Sequence, residues 1–476
     1  MDSANSFGSV AELQRLAEQG NPQAQSSLGL CYHFGEGVPK DFAEALKWYR
    51  KAAEQGESSA QNRIGGCYEK GEGVKRDPAE AVAWYRRAAE QGDAKAQINL
   101  GVCYEEGSGV AVNPTEAVRL FRLSAEQGFH WGQMNLGRCY EEGQGVLQDT
   151  TEAVKWYRRA AGSGNSEAQT SLGICYEDGC GVPKDLSEAV KWYRLAAEQG
   201  NDWGQHNLGR CCKYGLGTPV DFVDAVKWHR KAAEQGNAAA QLALSFSYAD
   251  GQGVVKDESE SLRLLREAAN NGDEAAQTLV GFEYLSGTRL PRDPVNAADW
   301  FRRSAAAGDA LGQFSYGWCL LTGEGVAKNP VEAVGWLKKA AEQGNAYGQC
   351  WLGICLADGV GTAKNYSEAQ KWLKLAAEQN DADARYRLRL LWFQKRSILK
   401  WRNACISAAG SAFLLFHAWN EPIAINGFAI AAFLIILATS SAVFLVAMAV
   451  LEKLGLEGLD EREAQIVYQR IESGRN

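Results

Sequence analysis

The chain has 476 residues, 46% hydrophobic and 23% charged, with a formal net charge of −8. That balance excludes a protein built around nucleic acid, whose phosphates require a strongly basic face. The length alone suggests two to four globular domains, but the sequence repeats itself and the repeat has to be read first.

Residues 1–20, MDSANSFGSVAELQRLAEQG, contain neither an apolar core of secretory length nor a basic leader. No cleaved signal peptide is expected, so the repeats are expected on the cytosolic side of any membrane. Within this stretch VAELQRLAEQ has the pattern of half a repeat and predicts an N-terminal cap.

From 21 to 380 the phase is set by Gly20, Gly56, Gly92, Gly128, Gly164, Gly200, Gly236, Gly272, Gly308 and Gly344, which delimit ten 36-residue units, with Asn380 in the glycine position of the last. Each unit reads as two antiparallel helices. The first carries small-Gln-x-x-apolar-Gly, as in Ala24-Gln25 with Leu28-Gly29, and the glutamine recurs in every unit from Gln25 to Gln349. An amide at a packed face predicts a hydrogen bond to the backbone of a neighbouring turn. A Gly-x-Gly step such as Gly35-Glu36-Gly37 then ends the first helix.

The second helix opens with a capping box, seen at Asp41/Glu44, Asp77/Glu80, Asn113/Glu116, Asp185/Glu188, Asn329/Glu332 and Asn365/Glu368. Pro78, Pro114, Pro294 and Pro330 take the first helical position, where a missing N–H costs nothing. Its body is E-A-x-x-W-[YFL]-[RK]-x-A-A, in which alanines permit close approach and the aromatic pair fills the wider gap. Of the 12 cysteines, Cys31, Cys67, Cys103, Cys139, Cys175, Cys211, Cys319 and Cys355 share one column. One cysteine per unit reads as a small buried apolar residue in a reducing compartment rather than half of a disulfide.

The pieces AQxxLGxCYxxGxGVxxD, from Ala24 to Asp41, and EAxxWYRxAAEQG, from Glu44 to Gly56, resemble the Sel1-like repeat family over about residues 10–380. The resemblance implies an all-α fold, an α/α solenoid forming a right-handed superhelix with a cupped inner surface. It also implies a role as an adaptor in protein assemblies, including membrane-associated ones such as those of endoplasmic-reticulum quality control.

The positions that vary between repeats have to carry specificity. Repeats two to five place Glu69, Glu105, Glu106, Glu141, Glu142, Glu177 and Asp178 in near register, an acidic ladder fit either for a basic peptide or for solvation at helix ends. Repeats four and six share Trp131, Asn135 and Arg138 with Trp203, Asn207 and Arg210, and Tyr214 lies nearby. Tryptophan with arginine is the usual makeup of an interface hot spot, so these residues are the first protein-binding candidates. In repeats seven to nine the inner column becomes bulky as Phe246, Phe282 and Trp318, a second candidate contact; repeat eight also replaces the column cysteine by Glu283 and the second turn glycine by Arg289. Outer arginines such as Arg50, Arg86, Arg194 and Arg230 stand four residues before Glu54, Glu90, Glu198 and Glu234, which offset much of their field.

The five histidines do not cluster at metal-ligand spacing in sequence, the Gly-x-Gly steps lack the lysine and strand context of a phosphate loop, and no cofactor signature is present. An enzyme is therefore not expected.

After 380 the pattern changes. Residues 381–402 read as a basic linker helix, and 403–451 as membrane segments: a short apolar block from Ala404 to Trp419, then 29 uncharged residues from Ile423 to Leu451. The second block exceeds the roughly 20 residues that span a bilayer. A single transmembrane helix and a helical hairpin both fit, followed by a short polar tail at 452–476. The expected function is thus a membrane-anchored scaffold whose inner face binds proteins or peptides. A lumenal or periplasmic quality-control receptor and a non-catalytic regulator of a membrane enzyme are the alternatives.

Overall fold

A computed structural model describes residues 9–391, all helix and connecting turn. Helix Val10–Glu18 is followed by two helices per repeat, from Pro22–Phe34 and Phe42–Glu54 in repeat one to Ala346–Asp358 and Tyr366–Glu378 in repeat ten; a further helix begins at 382. The chain forms two compact bodies, one ending at Leu264 and one beginning at Leu265, within the second helix of repeat seven. Each is an α-solenoid of paired helical repeats, in which the helices of one repeat pack on each other and on the next repeat.

The turn chemistry sets the helix limits. Gly35, at φ 79°, lies in the left-handed region that a side chain disfavours, and its N–H donates to the Cys31 carbonyl to close the first helix. Asp41 accepts from the N–H groups of Ala43 and Glu44, which starts the second. The expected capping box forms only in this half. The N–H of Asp41 donates to the carbonyl of Tyr32, so Glu44 does not reach back for it and pairs with Lys47 at 2.7 Å instead. The same exchange recurs at Asp77, whose N–H goes to the Tyr68 carbonyl while Glu80 accepts from the Trp84 indole.

The glycine that ends the small-Gln-x-x-apolar-Gly motif is a packing residue. A Cβ at Gly65 would stand 2.5 Å from the ring of Tyr85, so only glycine lets the two helices of a repeat meet across the aromatic column. Tyr49, Tyr85, Phe121, Tyr157 and Tyr193 in that column are at most 1% exposed. Leucines such as Leu136 and Leu172 fill the space beside them, each contributing roughly 1.5–3 kcal/mol. The eight cysteines of the shared column are buried thiols.

The recurrent glutamine makes the backbone bond that its position predicts, and it makes it across the repeat boundary. In every repeat its side-chain amide donates to the carbonyl of an alanine eight residues earlier, on the preceding second helix: Gln25 to Ala17 at 3.0 Å, Gln169 to Ala161 at 3.2 Å, Gln349 to Ala341 at 3.2 Å. In the seven repeats that place a second glutamine near their end, its oxygen in turn accepts from that glutamine, as Gln25 does from Gln55 at 2.7 Å and Gln97 from Gln127 at 2.8 Å. This relay ties three consecutive helices through one buried amide. Helix Val10–Glu18 joins the scheme as the second half of a repeat, with Leu13 and Ala17 buried against Ala24 and Leu28.

Candidate protein-binding face

On the first helix of each repeat the positions not consumed by packing are spaced three and four residues apart and so lie on one stripe. In repeat four the stripe is Trp131, Asn135, Arg138 and Glu142; in repeat six it is Trp203, Asn207, Arg210 and Tyr214. Trp131 is 40% exposed, Trp203 54% and Tyr214 62%, against full burial for the aromatic column behind them. Trp131 is flanked by His130 at 5.4 Å between ring centroids, and Trp203 meets His206 edge-on at 5.9 Å. First helices of adjacent repeats are linked side by side: Asn165 to His130 at 3.0 Å, Thr170 to Asn201 at 3.0 Å, and Asn62 to Asn99 at 2.8 Å.

The arginines of the candidate set are not free for a partner. Arg138 binds Glu105 of the preceding repeat at 2.8 Å, and Arg210 binds Glu177 at 2.5 Å, with both carboxylates largely covered. Asn207 is buried and Asn135 half-buried. The tryptophans and Tyr214 are therefore the accessible members.

The acidic ladder is likewise engaged from within. Glu69 accepts from the Tyr85 hydroxyl at 2.8 Å, Glu141 from Tyr157 at 2.6 Å and Glu177 from Tyr193 at 2.8 Å. In repeat three, phenylalanine replaces the tyrosine as Phe121, and Glu105 turns to Arg138 instead. The carboxylates left in solvent are Glu106, Glu142 and Asp178 at the helix ends, and Glu167 between the two tryptophan positions. On the outer side, Arg50, Arg86, Arg158 and Arg230 donate to the hydroxyls of Tyr68, Tyr104, Tyr176 and Tyr248 in the following repeat.

Repeat six breaks the tyrosine–glutamate pattern at both ends: His229 stands in the tyrosine column and Lys213 in the glutamate column. His229 is 1% exposed with neither ring nitrogen hydrogen-bonded, and its ring lies 5.3 Å from that of His206. Burial pushes His229 down to about 3, helped by the positive charge of a protonated His206 and of Lys213. Burial and Arg210 push His206 down to about 4. Both are neutral near pH 7.

Of the bulky column, Phe246 in the N-terminal body is 42% exposed. In the C-terminal body Phe282 is 36% exposed and packs edge-on against Phe301 at 5.0 Å, while Trp318 is half-buried against Tyr316 and Cys319. Helix Ala310–Thr322 carries no charged residue, and Tyr347 of the next repeat stacks on Phe314 at 5.4 Å. Arg289 lacks the positive φ of the glycine it replaces, and its guanidinium binds Glu283 at 2.6 Å, so the two substitutions of repeat eight answer each other.

The described residues hold no catalytic arrangement. His33, Cys67 and Glu72 come together within 4.8 Å, which their sequence spacing does not show. Cys67 belongs to the packing column, with burial pushing its thiol up to about 11, and burial pushes His33 down, so both are neutral packing groups. No described helix is long and apolar enough to cross a membrane, and the segment 403–451 lies outside the described residues, as does 392–402 of the linker.

Comparison with known proteins matches this architecture. Among solved structures, a protective antigen present in uropathogenic Escherichia coli strains, displaying an SLR fold, is 31% identical with a TM-score of 0.51, covering 88% of this chain and 99% of that one. A Sel1 repeat protein from Oxalobacter formigenes is 36% identical over 51% of this chain and 96% of its own, with a TM-score of 0.47. An immunity protein from Pseudomonas aeruginosa is 21% identical over 45% of this chain and 82% of that one, with a TM-score of 0.33. No curated protein matches significantly. The Sel1 repeat model matches ten successive segments, 22–57, 58–93, 94–129, 132–165, 166–201, 204–237, 238–273, 274–309, 310–345 and 346–381, and the chain belongs to the Sel1 repeat family.

Proposed function

We propose that this chain is a non-catalytic protein-interaction scaffold, anchored to a membrane through 403–451, that recruits partner proteins on its first-helix face from the cytosolic side. The observation that carries the reading is a division of labour along each repeat. The glutamine packing column repeats in every unit and the glycine column in all but repeat seven, whereas the first-helix stripe changes from repeat to repeat and leaves Trp131, Trp203 and Tyr214 exposed beside arginines that are paired internally. Large amphipathic rings held on a rigid helix lose little entropy on binding and are the usual anchors of protein interfaces. Attachment to a membrane would raise the effective concentration of partners on the same surface.

A lumenal receptor would expose Asn365-Tyr366-Ser367 to glycosylation. Asn365 is the N-cap of helix Tyr366–Glu378, accepting from the Glu368 N–H at 3.1 Å and donating to its carboxylate at 3.1 Å. A glycan there would disturb that cap, which favours the cytosolic side. The test places a photo-crosslinking phenylalanine at 131, 203 or, as an outer-face control, 198, in cells, followed by protease digestion of sided membrane vesicles. Specific adducts at 131 and 203 but not 198, with repeats cleaved from the cytosolic face, are expected. Equal adducts at all three, or repeats protected until detergent is added, would overturn the recruitment reading and the sidedness respectively.

A further inference from the structure

Between the two exposed tryptophans, in the same column of the intervening repeat, stands Glu167. First helices of repeats four, five and six lie next to each other, joined by the Asn165–His130 and Thr170–Asn201 hydrogen bonds and the Arg210–Glu177 ion pair. The column therefore runs Trp131, Glu167, Trp203 across three neighbouring helices. Glu167 is exposed as a residue and forms no hydrogen bond or ion pair among the described residues, while partial burial around its carboxyl group raises its pKa; Arg138, the cation whose charge opposes that rise, is bound to Glu105.

The field here is negative. Helices His130–Glu142 and Ser166–Asp178 carry five carboxylates and one arginine; Arg138 is neutralised by Glu105 of the preceding repeat and Glu177 by Arg210 of the following one, which leaves four carboxylates against no unpaired cation on these two helices. Lys95 in repeat three and Lys213 in repeat six are the flanking exposed or half-exposed cations. A carboxylate with an exposed aromatic ring one helix away on either side complements a partner that carries a guanidinium or ammonium group between two apolar side chains, the cation pairing with the carboxylate and the apolar groups covering the rings.

The spacing sets the form of the ligand. Packed helices stand about 8–10 Å apart, and an extended chain advances about 3.3 Å per residue, so one step along the column takes about three residues. We propose that Trp131, Glu167 and Trp203 form a binding site for an extended partner segment of the form apolar-x-x-basic-x-x-apolar, with the basic side chain on Glu167 and an apolar side chain on each tryptophan. This depends on the protein-binding role proposed above and assigns its partner chemistry.

The probe is the fluorescein-labelled heptapeptide Leu-Gly-Ser-Arg-Gly-Ser-Leu, titrated into the full chain and followed by anisotropy. Replacing its arginine by uncharged citrulline, or moving the two leucines next to the arginine, should weaken binding about tenfold or more. Glu167→Gln, which keeps the side-chain shape, should weaken the arginine peptide about tenfold and leave the citrulline peptide unchanged, while Trp131→Ala and Trp203→Ala should weaken both peptides. Arginine and citrulline peptides binding within twofold of each other, or an unaffected Glu167→Gln, would overturn the inference. If peptide binding fails in these ways but crosslinks at 131 and 203 still trap a partner, the scaffold role survives and only this partner chemistry is wrong; loss of both sinks both.

Discussion

The first helices of repeats two to six and those of repeats eight to ten share the glutamine and glycine packing columns and differ in how their free faces are furnished. In the N-terminal body, polar side chains reach from one repeat to the next: Asn62 to Asn99, Arg138 to Glu105, Arg210 to Glu177. In the C-terminal body the corresponding face holds Phe282, Trp318 and Tyr347, and helix Ala310–Thr322 is uncharged. The Gln313–Ala305 and Gln349–Ala341 amide bonds join the C-terminal repeats as their counterparts do in the N-terminal body, together with the Thr278–Asp309 hydrogen bond, while the glycines at the helix crossings of repeats nine and ten, Gly317 and Gly353, meet Leu337 and Leu373 in place of an aromatic ring. What varies is available for recognition, polar and acidic in one body and apolar in the other.

Acid should separate the two bodies most strongly. His206 and His229 lie in the N-terminal body, whereas residues 265–391 contain no histidine. Both imidazoles have folded-state pKa values below the ordinary 6.5, so the unfolded chain takes up protons first. Stability is fullest above pH 6.5 and falls as the pH drops toward 4 and then 3. Arg210 and Lys213 on the helix Asp202–Tyr214 oppose protonation, and only Asp202 favours it. At pH 5 the loss is roughly 2 kcal/mol per imidazole. Hydrogen exchange should show repeat six opening at pH 5 ahead of repeats nine and ten, and His229→Tyr with Lys213→Glu, which introduces the tyrosine–glutamate pair of repeats two, four and five, should remove about half of that difference. Uniform acid opening would break the contrast.

Packing, by contrast, should be equally intolerant in both bodies. Gly65→Val and Gly281→Val each drive a side chain into a ring already 2.5 Å from the site of the added Cβ, on Tyr85 and Phe301. Each should cost about 3 kcal/mol in urea unfolding. A difference greater than about 2 kcal/mol between them would show that the shared columns are not equivalent.

The glutamine relay offers a finer test. Gln97 accepts from Gln127, but Ser163 stands where repeat four would have its relay glutamine and the Gln133 oxygen has no partner. Gln97→Leu should therefore cost about 1 kcal/mol more than Gln133→Leu. The smallest effect concerns ion pairs. A double-mutant cycle on Arg138 and Glu105 should give about 1 kcal/mol of coupling, against nearly nothing for the exposed Arg302–Asp299 pair at 2.6 Å.

The fold was legible because a strict period, a capping residue and a left-handed glycine mark each helix end locally. Even Asn380 announces itself, as the one non-glycine at positive φ among the described residues, at 68°. The destinations of polar side chains were less legible, because they depend on the register between helices: the glutamine relay spans 30 residues and the Arg138–Glu105 pair 33. A signal did exist. Where Tyr becomes Phe121, Glu105 takes an arginine, and where it becomes His229 the glutamate becomes Lys213. Reading those columns together points to Arg138 as the partner of Glu105, whereas Arg210 shares Glu177 with a retained Tyr193 and has no such signal in the sequence.

The central claim, that packing columns hold the repeats and the exposed first-helix stripe binds partners, is tested most directly on one protein, the Trp131→Ala/Trp203→Ala double variant carrying a photo-crosslinker at Ser171 on the intervening helix. The account predicts that adducts formed by the parent are lost while the unfolding free energy stays within about 1 kcal/mol per substitution. Persistence of the adducts, or a loss of stability above about 3 kcal/mol per substitution, would contradict it and return the tryptophans to the packing.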